Sequence, residues 1–197
     1  MKRVVSHLVL VFTMLVSSMA FAAETTYRST MSGPNEQSPN DSPGAGIATV
    51  VFDDVAMTML FTVPFMDLVA GTTVGHLHCC TPQPLIGTAP PAIGLDDFPV
   101  GVQSGMYQRL YSLMDPATYE PAFFTAAGGT VDAARNFLLA GINNQSYLNI
   151  HSSAYPGGEI RGFLVELAAP IPEPSSWLML GVGLAGIGFC AARRRPA

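Results

Sequence analysis

Met57-Thr58-Met59-Leu60-Phe61-Thr62-Val63 decides the fold. Met57, Met59, Phe61 and Val63 fall on one side of an extended chain, with Thr58, Leu60 and Thr62 on the other. That period of two is the mark of a strand with one face in a core. A second apolar run, 45–52, precedes it, and Asp53-Asp54 between the two reads as the turn of a hairpin.

Outward from this hairpin the pattern stays mostly strand and turn. Residues 25–32 make a first strand, followed by Gly33-Pro34-Asn35 and a Ser/Pro/Gly/Asn loop as far as Gly44. Further strands are expected over 72–80, 104–113, 146–151 and 159–167, with a proline-broken loop over 82–91. Two short helices fit 121–127 and 131–140, parted by Gly128-Gly129-Thr130, with Gly141 ending the second. There is no internal repeat. The expected fold is therefore all-β: an antiparallel Greek-key β-sandwich, immunoglobulin-like or superoxide-dismutase-like, with a short helical insertion.

Both ends of the 197-residue chain read differently. Lys2 and Arg3 open a charged start, an apolar stretch runs over 4–20, and Ala20-Phe21-Ala22 has the small-x-small form that signal peptidase accepts. Residues 1–22 are thus expected to be a removable signal peptide. Residues 175–192 carry no charge; 18 helical residues reach about 27 Å, enough to cross a bilayer core. Trp177 marks one interface and Arg193-Arg194-Arg195 the cytoplasmic one. That segment is expected to be a transmembrane helix, leaving one globular domain over 23–169.

Between these ends stand four arginines, no lysine and thirteen acidic residues, a formal charge near −9. Such a surface excludes nucleic acid, whose phosphates need a basic patch. Cys190 lies in the tail, so the domain holds only the neighbours Cys79 and Cys80. A bond between them is open to an oxidising exterior, although Cα atoms about 3.8 Å apart across a trans peptide make it strained.

The chemistry-bearing side chains are few. His76 and His78 project from one face of the 72–80 strand, and Cys80 follows them if the strand stays regular. Leu77 and Cys79 turn to the core. On the 146–151 strand Leu148 and Ile150 take the core side, leaving Tyr147, Asn149 and His151 opposite. If the two strands are close, the histidines converge on a site suited to copper or zinc, with a Cys80 thiolate as a soft ligand. In the other reading the imidazoles hydrogen-bond loops and stiffen the sheet. Gly157-Gly158 reads as a tight turn needing positive φ. Glu159 and Arg161 alternate onto one face, as an ion pair or as anchors for a neighbouring loop. Asp53-Asp54 and Asp96-Asp97 lack the spaced oxygens of a calcium loop, and Met57 and Met59 read as core filler. No phosphate loop, nucleophile elbow or Cys-x-x-Cys is present. No catalytic residue is assigned, and the chain reads as a non-enzyme.

Three segments together resemble the CHRD domain, first described in chordin and common in bacterial exported proteins: Gly75-His76-Leu77-His78, Tyr147-Leu148-Asn149-Ile150-His151 and Pro156-Gly157-Gly158-Glu159-Ile160-Arg161-Gly162. Leu138-Leu139-Ala140-Gly141 supplies the piece the family places before the second histidine strand. The His-Cys-Cys ending and the insert after Pro82 depart from the commonest form. The His-x-His strand is also similar to that of copper/zinc superoxide dismutases. The resemblance implies a structural or binding module.

Pro172-Glu173-Pro174, the apolar span and the arginine cluster together resemble the PEP-CTERM sorting signal, over 170–197. This implies a Gram-negative source, a temporary inner-membrane anchor cut by an exosortase, and a mature product at the cell surface or outside it. An exopolysaccharide or an envelope protein is the expected partner.

Overall fold

The run that follows Met57 lies in a nine-residue strand whose Met59, Phe61, Val63 and Phe65 are buried in the core. The computed structural model describes residues 24–168 and, in the tail, Leu180, Gly181, Gly183 and Leu184. In chain order the strands are β1 (Glu24–Ser32), β2 (Ala45–Asp53), β3 (Thr58–Met66), β4 (Thr72–His78), β5 (Pro91–Gly94) and β6 (Gly105–Ser112), then β7 (Tyr147–Ser152), β8 (Ile160–Phe163) and β9 (Val165–Glu166). Two helices, α1 (Pro121–Ala126) and α2 (Val131–Gln145), lie between β6 and β7.

The β2–β3 hairpin forms as expected, its turn held by Asp53 Oδ1, which accepts from Val55 N at 2.8 Å and Ala56 N at 2.7 Å. Met57 itself sits in that turn at φ 51° and not in the strand.

All pairings are antiparallel, and the strands form one path, β5-β4-β7-β8-β1-β2-β3-β6, with β9 beside β1. The two packed sheets expected from the sequence are thus a single curled sheet, because β1 pairs with β2 on one side and with β8 and β9 on the other. The curl brings the two halves of the path into contact: a Cβ on Gly46 of β2 would stand 3.3 Å from Ile160 Cδ1 of β8. It also brings the end strands together. Tyr111 of β6 donates its hydroxyl to Gly94 O at 2.9 Å and accepts from Asp96 N at 2.8 Å, while Tyr107 donates to Asp96 O at 3.0 Å. Arg109 adds ion pairs to Asp96 and Asp97 across the same seam.

Four local expectations are corrected. The last residue of the region read as a loop, Pro91, opens an unexpected strand, β5, at a place where a strand tolerates the missing N–H. β4 stops at His78, and Cys79 and Cys80 are joined by a disulfide across a cis peptide bond. The last strand breaks at Leu164, whose N–H donates to Ser146 O while its carbonyl accepts from Asn144 N; β9 then moves over to β1. Gly141 does not end α2. It permits close packing, since a Cβ there would lie 2.7 Å from Cys80 Cβ, and the helical path breaks only at Asn143 and Asn144 (φ 68°).

The signal-peptide residues, Ala20 and Ala22 among them, lie outside the described residues, as do Pro172, Glu173, Pro174, Arg193, Arg194 and Arg195. Of the span expected over 175–192, only Leu180, Gly181, Gly183 and Leu184 are described, in helical conformation. Among the described residues no helix is long and apolar enough to cross a membrane.

Candidate metal centre

β4 and β7 are direct neighbours, and this adjacency is what the sequence alone leaves open. In their register His76 faces Asn149, His78 faces Tyr147 and Val74 faces His151, so His151 is the diagonal neighbour of His76. Leu77, Leu148 and Ile150 take the core side as expected. The other face therefore gathers His76, His78 and His151, and one nitrogen from each lies within 4.8 Å of the others. The His76 ring meets those of His78 and His151 edge-on, at 5.6 and 5.3 Å between centroids.

Loop carbonyls settle which nitrogens are free. His78 Nδ1 bonds Ala89 O at 2.8 Å, and His151 Nδ1 bonds Pro156 O at 2.8 Å. A carbonyl only accepts, so each Nδ1 carries a proton, and in the neutral ring the lone pair falls on Nε2. Those two Nε2 atoms and His76 Nδ1 are buried and have no hydrogen-bond partner. Burial also disfavours the charged rings. The pKa of His78 falls to about 4, chiefly through desolvation, and that of His76 is lowered by desolvation and then by His151. Neutral imidazoles with converging lone pairs are the form in which histidine binds a metal.

Cys80 does not join this set. Its sulfur is bonded to Cys79, so there is no thiolate to offer, and it lies outside the cluster.

The rest of the face is polar and closed over by loops. The Tyr147 ring lies parallel to His78 at 4.6 Å and 6°, and its hydroxyl shares Ala89 O with His78 Nδ1. On the far side of Tyr147 stands the Arg161 guanidinium, 4.5 Å from the ring centroid. Asn149 donates Nδ2 to Glu36 Oε2 at 3.4 Å; Asn149 Oδ1 and Glu36 Oε1 are buried without partners. Desolvation raises the Glu36 carboxyl to about 7 against the lowering pull of Arg161. A protonated Glu36 would supply the donor that Asn149 Oδ1 lacks.

Of the turn residues, Gly158 alone needs positive φ, at 124°; Gly157 does not. Glu159 is fully buried and anchors loops: Oε1 accepts from Ser42 Oγ at 2.5 Å and from Val69 N at 2.6 Å. Arg161 does likewise with carbonyls, at Asn35 O (3.0 Å) and Gly87 O (3.2 Å). Glu36 had no sequence signal, standing 113 residues before its partner Asn149.

The model of the CHRD domain matches residues 27–164, a span that holds the whole histidine face. The chain belongs to the CHRD domain family. Within this CHRD domain β4 and β7 carry the histidines, and the loop before β8 supplies the Pro-Gly-Gly turn that holds His151. A PEP-CTERM protein-sorting motif follows at 170–195; it implies export, membrane-associated sorting and processing by an exosortase. Comparison with curated proteins and with solved structures gave no match.

Proposed function

We propose that this CHRD protein is an exported module of the bacterial envelope that holds a copper or zinc ion on His76, His78 and His151 and performs no turnover. The observation that carries this reading is that one nitrogen from each of His76, His78 and His151 lies within 4.8 Å of the others, on three rings that each hold a buried nitrogen without a hydrogen-bond partner. Unpartnered buried polar atoms are costly, and a metal ion satisfies all three at once. Neutral nitrogen donors without a thiolate or carboxylate suit copper(I), copper(II) or zinc, with further positions left for water or another ligand.

The absence of turnover is supported by the sequence, which has no nucleophile elbow or phosphate loop. Among the described residues these histidines are the one group of three or more metal-ligating side chains close enough to hold an ion. The sorting motif supports passage through the inner membrane of a Gram-negative cell and release to the surface. There the acidic surface suits an exopolysaccharide or an envelope protein.

Elemental analysis of protein purified without an affinity tag tests the metal reading. Copper or zinc at about one ion per chain is expected, and its loss in the double variant His76→Ala, His78→Ala. Metal-free protein whose melting temperature does not move on adding either ion would overturn it.

A further inference from the structure

The charge behind His78 bears on which ion the centre takes. Arg161 is 5 % exposed, its guanidinium carbon 4.5 Å from the ring centroid of Tyr147 and 5.3 Å from that of Phe163. Its side-chain hydrogen bonds go to backbone carbonyls, which are neutral. Among the described residues the ion pairs involve Arg109 and Arg135, and none reaches Arg161. The carboxyl that acts on it electrostatically, Glu36, is itself held toward its neutral form by burial. A buried guanidinium whose direct hydrogen-bond partners are all neutral is rare.

Arg161, Tyr147 and His78 form a continuous stack, cation on ring on ring, so a full positive charge stands two layers behind a metal ligand. Little water screens it there. The three ligating nitrogens bring no negative charge to offset an ion. Repulsion from Arg161 therefore weighs twice as heavily on a divalent ion as on a monovalent one. Imidazole suits both zinc and copper, and of the two only copper has a stable singly charged state. We propose that Arg161 tunes the three-histidine centre toward copper(I) and against zinc(II); the proposal rests on the metal reading above. Tyr147 is the positioning residue in this device, holding His78 and the guanidinium in one column.

The full chain is titrated with copper(I), kept reduced by ascorbate, and separately with zinc(II), each against a competing chelator. Wild type is expected to prefer copper(I). Arg161→Gln should lower the copper(I)-to-zinc(II) affinity ratio by about tenfold, the size of a unit-charge interaction across about 10 Å at an effective dielectric constant of about 20. Arg161→Lys, which keeps the charge, should stay close to the wild-type ratio even if it melts earlier. A role confined to clamping loops would lower the stability of both variants and leave the ratio alone. Copper bound by Arg161→Gln at an unchanged ratio would overturn the proposal. So would zinc displacing copper(I) from wild type, a result that does not depend on any variant folding. Wild type that binds neither ion would instead overturn the metal reading beneath it.

Discussion

Gly158 and Gly157 are neighbours in one turn, and the structure predicts opposite responses to the same change. Gly158 has φ 124°, and a Cβ there would stand 2.6 Å from both Asn149 Nδ2 and Asn149 Oδ1 and 2.7 Å from Glu36 Oε1. Asn149 is 5 % exposed and fixed between two strand neighbours, so it has nowhere to swing. The backbone strain of a side chain in this region costs about 1–3 kcal/mol, and forcing atoms into a filled site costs about as much again. Gly158→Ala is therefore expected to destabilise the domain by about 3 kcal/mol, a drop in melting temperature of about 10 °C for a domain of this size. Gly157 has no atom within 4 Å of the position a Cβ would take, and its φ is not positive. Gly157→Ala should leave the melting temperature unchanged or raise it slightly. Thermal melts of the two variants beside wild type decide the matter. A Gly158→Ala protein that melts with wild type, or a Gly157→Ala protein that falls equally far, would refute the reasoning.

Glu36 gives a pH prediction. Its pKa rises from 4.5 to about 7 on folding, so the native state holds this proton more tightly than the unfolded chain. The stability it contributes is present in acid and is lost as pH climbs from 4.5 through about 7. Glu36→Gln, which mimics the protonated form, should match wild type in urea unfolding at about pH 4 and exceed it at about pH 8; no difference between the two conditions would discard the assignment. At the sorting motif, replacing Pro172, Glu173 and Pro174 by alanine should leave the uncut chain in the inner membrane of a host with an exosortase. Intact-mass measurement reads this directly, and a variant trimmed like wild type would rule the site out.

What could be read in advance follows from what is local. The alternation around Phe61 was legible because one face of β3 is fully in the core. The same periodicity put His76 with His78 and kept Leu77 apart from them. The union with His151 was legible only as a condition, because pairing of β4 with β7 depends on a crossover of some seventy residues that no spacing rule reaches. The stack of Arg161 on Tyr147 was hidden for the same reason: it needs the β7–β8 register, in which Tyr147 faces Phe163 and Asn149 faces Arg161. Cys80 was misplaced because a strand period was carried one turn of pleat too far, past the point where its bond to Cys79 takes over. β5, four residues long and begun by a proline, is too short for any periodicity to show.

The pairing of β1 sets the timing of the whole domain. Its inner flank zips to β2 as soon as the first fifty-odd residues exist, yet its outer flank waits for Arg161, Val165 and Glu166, the last strand residues before the motif that starts at 170. A chain threaded outward from its amino end thus stays an unsealed ribbon for nearly its full length. The two halves of the path can therefore join only through residues that stand a few positions ahead of the sorting motif, so a chain cut short before Arg161 would lack the strands that tie β1 to the histidine half.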